Sequence, residues 1–131
     1  MSFILNEDTE NAPDFKSLPT GTEVELRITS AEMKNSKKGD PMLALKLDIP
    51  GEPYAKDIFH YIMLPAPSDD DKKRAQKLNR LKEFKATFQL PACGPITSED
   101  MEGARGWTIL REEEGLNGEM QNSIQKFVVG A

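Results

Sequence analysis

A chain of 131 residues, 37% hydrophobic and 30% charged, is long enough to bury one core and short enough to be one domain. It holds no apolar run near the roughly 18 to 20 residues that cross a bilayer. Residues 1–8 lack the basic start of a signal peptide, and the single cysteine, Cys93, suits a reducing compartment, so a cytoplasmic protein is expected. The net charge of −5 argues against indiscriminate binding to duplex DNA but permits a binder whose positive charge is gathered on one face.

Residues 1–17 carry Glu7, Asp8, Glu10 and Asp14 against one Lys16, which predicts an acidic N-terminal arm, mobile or loosely docked. The domain, residues 18–131, opens with the turn signal Leu18-Pro19-Thr20-Gly21. Over residues 22–33, Val24, Leu26 and Ile28 alternate with Glu23, Glu25, Arg27 and Thr29, the period of a half-buried strand. Residues 35–41 form a loop of turn formers, after which Leu43, Leu45, Leu47 and Ile49 mark a second strand. Beyond the turn at residues 50–53, a third strand runs over 54–64, apolar on both faces.

The period then changes. Ser68-Asp69-Asp70-Asp71 has the form of a helix N-cap followed by acids in the first turn, and Ala75, Leu78, Leu81, Phe84 and Phe88 recur at spacings of three and four. This amphipathic helix should end near Gln89, before Leu90-Pro91. A connector follows, with one helical turn at 98–102, then a fourth strand over 105–113 and a fifth over 119–129. The fold class is therefore mainly β. Five strands with a helix between the third and fourth is the order of the OB-fold, a Greek-key barrel, here plugged by Leu78, Leu81, Phe84 and Phe88. A five-stranded sandwich or an α+β roll is the alternative.

Two stretches resemble bacteriophage-encoded single-stranded DNA-binding proteins. One is Leu18-Pro19-Thr20-Gly21 with Ser36-Lys37-Lys38-Gly39-Asp40-Pro41-Met42; the other is Glu102-Gly103-Ala104-Arg105-Gly106-Trp107 with Asn122-Ser123-Ile124-Gln125-Lys126-Phe127. The resemblance implies an OB-fold that coats single-stranded DNA in phage replication or recombination, with phage or host replication proteins as further partners. It departs from bacterial single-strand binders at its C-terminus, Phe127-Val128-Val129-Gly130-Ala131, which is not acidic.

Such a binder needs cations for phosphates and aromatic faces for bases. The candidates for phosphate are Lys34, Lys37 and Lys38 in the first loop, Lys46 on the second strand, and Lys56, Arg105, Arg111 and Lys126. The candidates for stacking are Tyr54, Phe59, Tyr61 and Trp107. If Ile58, His60 and Ile62 point inward, Phe59 and Tyr61 share an outer face with Lys46. Equally ordinary readings place Phe59, Tyr61 and Trp107 in the core and the lysines on a solvated loop. The helix carries seven basic residues against four acidic between positions 69 and 85, a solvated face or a second contact surface. Glu112-Glu113-Glu114, expected at the turn between strands four and five, would repel phosphate.

Catalysis is not expected. His60 is the only histidine and no second cysteine accompanies Cys93, so no metal site is expected; no Gly-Lys-Ser/Thr run cradles a phosphate, and no cofactor is foreseen. The competing function is a protein-contact or structural module, a replication accessory or virion component, with no nucleic-acid ligand. Exposed strand edges would allow a homo-oligomer.

Overall fold

The computed structural model describes residues 2–129. The elements run β1 (Glu23–Asn35), β2 (Pro41–Asp48), β3 (Ile58–Met63), α1 (Asp71–Thr87), α2 (Ser98–Met101), β4 (Arg105–Glu114) and β5 (Met120–Phe127). The strands form one antiparallel sheet in the order β3-β2-β1-β4-β5.

Strand β1 holds the sheet together by pairing twice. Residues 27–35 pair with β2 and residues 23–27 with β4. A bulge lies between Ile28 and Ser30. It reverses the alternation read from sequence: Leu26 and Ile28 are buried, and the next buried position is Ala31. One extra residue bends the strand and sharpens its twist, so one long strand can serve partners that run off in different directions. A second irregularity, opposite Ile109 and Leu110, does the same on β5, where Asn122 and Ile124 are buried and the inward phase resumes at Phe127.

The expected barrel is corrected here. The sheet is open: among the described residues, β3 and β5 share no hydrogen-bonded ladder. Aromatic side chains fill the space where such a ladder would run. The Phe127 ring lies edge-on to His60 at 5.5 Å between centroids, and 6.1 and 6.3 Å from Phe84 of α1 and Phe88 at its C-cap. The helix therefore seals the sheet with Phe84 and Phe88, supported by half-buried Leu81. Leu78, expected in the plug, is 44% exposed and lies outside it. Gly106 lets the end of α1 approach β4, since a Cβ there would meet the Thr87 carbonyl oxygen at 2.8 Å.

The N-cap of α1 is Asp70, whose carboxylate accepts from the Lys73 amide at 2.7 Å. Asp69, expected in the first turn, precedes the helix. Its side chain is buried, accepts from the Ala66 amide at 2.8 Å and pairs with Lys77 at 2.9 Å. The Lys77 hydrogen bond, followed by that of the Ala66 amide, holds the Asp69 carboxyl below the usual aspartate range. Strand β3 starts at Ile58 rather than residue 54, because the preceding segment bonds to the arm: Lys16 donates to the Tyr54 carbonyl and accepts from the Lys56 amide. The arm is otherwise exposed and without regular structure up to that point. Asn122, buried, anchors it by bonding both backbone groups of Leu18 at 2.8 Å.

His60 supplies a pH test of this packing. It is half-buried beside Phe127, and burial pushes its imidazole below the ordinary 6.5. The folded state favours the neutral ring, so its contribution to stability is complete above the unfolded value and is lost as pH falls from there toward the folded one. Thermal unfolding between about pH 7.5 and 5.5, where histidine titrates, should show a falling midpoint. The His60→Gln variant should flatten that dependence. An equal slope in both proteins would mean that burial does not tune His60.

Candidate nucleic-acid interface

Alternation along β3 puts Ile58 and Ile62 in the core and turns Phe59 and Tyr61 outward, 57% and 55% exposed. The register with β2 sets Phe59 opposite Lys46 and Tyr61 opposite Ala44. The two rings are one strand repeat apart, about 7 Å. Ala44 lacks the bulk to cover Tyr61. Of the two arrangements open from sequence, the structure has the one that puts Phe59 and Tyr61 on an outer face with Lys46.

Two clefts adjoin these rings. The first, about 300 Å3, lies between the β2–β3 surface and the β4–β5 hairpin; Lys46, Lys56, Asp57, Phe59, Glu113, Asn117 and Glu119 are among its lining residues. Its cations are already partnered. Lys46 lies 3.6 Å from Asp57, and Lys56 lies 3.6 Å from Glu119 while donating to the Met120 carbonyl at 2.9 Å. The expected repulsive loop is also corrected: Glu112, Glu113 and Glu114 belong to β4 itself. Glu113 enters the cleft, whereas Glu112 accepts from Ser17 Oγ and so helps hold the arm.

The second cleft, about 470 Å3, follows the open seam between β3 and β5. Tyr61, Met63, Arg80, Arg111 and Lys126 line it, with Glu83 as its one acid. Arg111 is 4.0 Å from Glu113. No carboxylate lies within ion-pair distance of Lys126 or Arg80 among the described residues. The open seam therefore exposes positive charge beside Tyr61.

Six predicted residues line neither of these clefts. Tyr54 packs edge-on against Phe15 of the arm at 6.1 Å. Lys34, near the end of β1, lies 3.6 Å from Glu32. Trp107 is 50% exposed on β4 opposite Glu25, and Arg105, on the same strand, pairs with that glutamate at 3.3 Å. In the ladder, β1 and β2 stand between these two residues and β3. Lys37 and Lys38 lie in the β1–β2 turn, fixed by Gly39 at φ +86° and by hydrogen bonds between Ser36 and both Gly39 and Asp40.

Sequence reasoning missed Lys73 and Arg80 of α1 as phosphate contacts; they face that turn across a third cleft of about 470 Å3, which Met63 also lines. Their signal was present. Positions 73, 77 and 80 follow the spacing of one helix face, which separates them from the other basic residues of α1.

The chain belongs to the family described as "Protein of unknown function (DUF669)", whose profile matches residues 5–104. The match takes in everything from β1 through α2, including Phe59, Tyr61 and Arg80, and stops short of β4. Among curated proteins, none matches the chain.

Proposed function

We propose that this protein binds single-stranded DNA without sequence preference, as an OB-type module of phage replication or recombination. The observation that carries the reading is the pair of outward rings, Phe59 and Tyr61, side by side on β3 beside a cleft that holds Lys126, Arg111 and Arg80. Two bases of an extended strand can lie one on each ring, and stacking accepts any base because every base has a π-face. A duplex hides those faces, so the same rings gain little from it.

The strand order supports the OB assignment: β1 pairs with both β2 and β4, and the helix falls between β3 and β4. OB barrels are themselves partly open. The resemblance to phage single-strand binders points the same way. The competing protein-contact module draws on Asp57, Glu113 and Glu119, which leave the cleft beside Phe59 with more acid than base.

The test is fluorescence anisotropy of a labelled oligo-dT of about 30 nucleotides, titrated at low and moderate salt with duplex as control. Salt-sensitive binding of the single strand, with much weaker duplex binding, is the expected result. No binding at low salt would overturn the reading in favour of protein contacts.

A further inference from the structure

The geometry points to a separate phosphate-binding subsite in the cleft between the β1–β2 turn and α1, formed by Lys37, Lys38, Lys73 and Arg80. Here the backbone of the strand stacked on β3 is gripped after it passes Tyr61. The inference rests on the single-strand reading and adds where the phosphates go.

Three observations carry it. First, the surface is continuous. The seam cleft and the turn cleft share Met63 and Arg80, so a strand lying on Tyr61 and continuing along β3 past Met63 reaches the helix without leaving a groove. Second, the charge is divided unevenly along that path. Beside Phe59 the lysines are paired to Asp57 and Glu119. In the turn cleft, five cations line the walls against Asp40. Asp69 neutralises Lys77 from beneath and lies 3.8 Å from Lys73. Lys37, Lys38 and Arg80 have no carboxylate within ion-pair distance among the described residues.

Third, the cations are mounted on rigid supports. Lys77 is only 7% exposed, and its bond to Asp69 ties the second turn of α1 to the segment before it. Arg80 and Lys73, two turns apart on that face, are thereby set opposite a β-turn closed at Gly39. Phosphates entering this cleft meet Lys37, Lys38 and Arg80 with no carboxylate to displace, whereas near Phe59 they must displace carboxylates. Base stacking and backbone neutralisation are therefore served by different stretches of one groove.

The test uses the full chain carrying Lys37→Ala, Lys38→Ala and Arg80→Ala together, with Tyr61→Ala as the contrast and thermal unfolding to check folding. Single strands release about 0.7 counterion per neutralised phosphate. The triple variant should therefore lower the slope of log affinity against log salt for oligo-dT by about 2, for about three lost contacts. Tyr61→Ala should weaken binding with its slope unchanged. An abasic strand of the same length, which offers phosphates but no bases, should bind the unmodified protein at low salt and be released by the triple variant. If oligo-dT binds the unmodified protein but the triple variant keeps its slope and its abasic binding, the subsite is overturned and the single-strand reading stands. If the unmodified protein binds neither strand, both fall together.

Discussion

Tyr61→Ala is expected to weaken oligo-dT binding by about 5- to 150-fold, the equivalent of about 1 to 3 kcal/mol for one lost stacking face. The same loss is expected for Phe59→Ala. The double variant should lose more than either, although neighbouring positions on one strand need not add. Both side chains are more than half exposed and turn away from the core, so unfolding temperatures should stay close to that of the unmodified protein. Affinity and stability are thereby separated in one pair of measurements. Tyr61→Phe keeps the ring and should retain most of the affinity, which distinguishes stacking from a hydroxyl contact. Trp107→Ala is the internal control, since Trp107 lies on β4 beside Glu25, away from the β3 rings. Equal affinity for Tyr61→Ala and the unmodified protein would remove stacking from the mechanism.

Phe84→Ala should be the most damaging single truncation, costing about 3 to 5 kcal/mol of folding free energy. In a chain of this size that corresponds to a drop in melting temperature of about 10 to 20 °C. Phe84 is 1% exposed and touches both Phe88 and Phe127. Its removal leaves a cavity at the one place where the sheet has no ladder, so two strand edges lose their apolar seal together. Denaturant unfolding of Phe84→Ala against Phe84→Leu checks this, with the leucine variant refilling part of the space. A cost under about 1 kcal/mol would be that of a surface position and would mean that α1 does not hold β3 and β5 together.

The consequences of the seal extend to function. A closed β3–β5 ladder would bring the two strands to hydrogen-bonding distance and leave no cleft between them. The side-chain seal instead leaves Arg111, Lys126 and Arg80 lining a groove at Tyr61. The feature that departs from the expected barrel is thus the one that supplies positive charge beside the aromatic pair.

Much was legible from residue pattern because it depends on near neighbours in the chain. The alternation of Leu43, Leu45 and Leu47 placed β2. The spacing of Phe84 and Phe88 placed the buried face of α1. The period of two set Phe59 and Tyr61 together on the face opposite Ile58, His60 and Ile62, but with both faces apolar only the fold decided that the rings point outward. The Lys-Lys-Gly turn likewise follows from local backbone preference, because Gly39 supplies the positive φ that closes it.

What pattern left open depends on contacts between residues far apart in sequence. Thr29 carries no mark of the bulge that reverses β1, because a bulge is chosen by the two partners that one strand must reach. Leu78 has the helical spacing of a core residue yet is exposed, since its neighbour Lys77 takes the inward position on that turn and pairs with Asp69. Lys46 and Lys56 resemble Lys37 and Lys38 in sequence, but Asp57 and Glu119 occupy the first pair and leave the second pair bare. Periodicity sets which face a side chain takes. Whether a charge on that face is free for a ligand is set by which carboxylates the folded chain brings beside it, and Coulomb attraction falls off with distance in space rather than along the sequence.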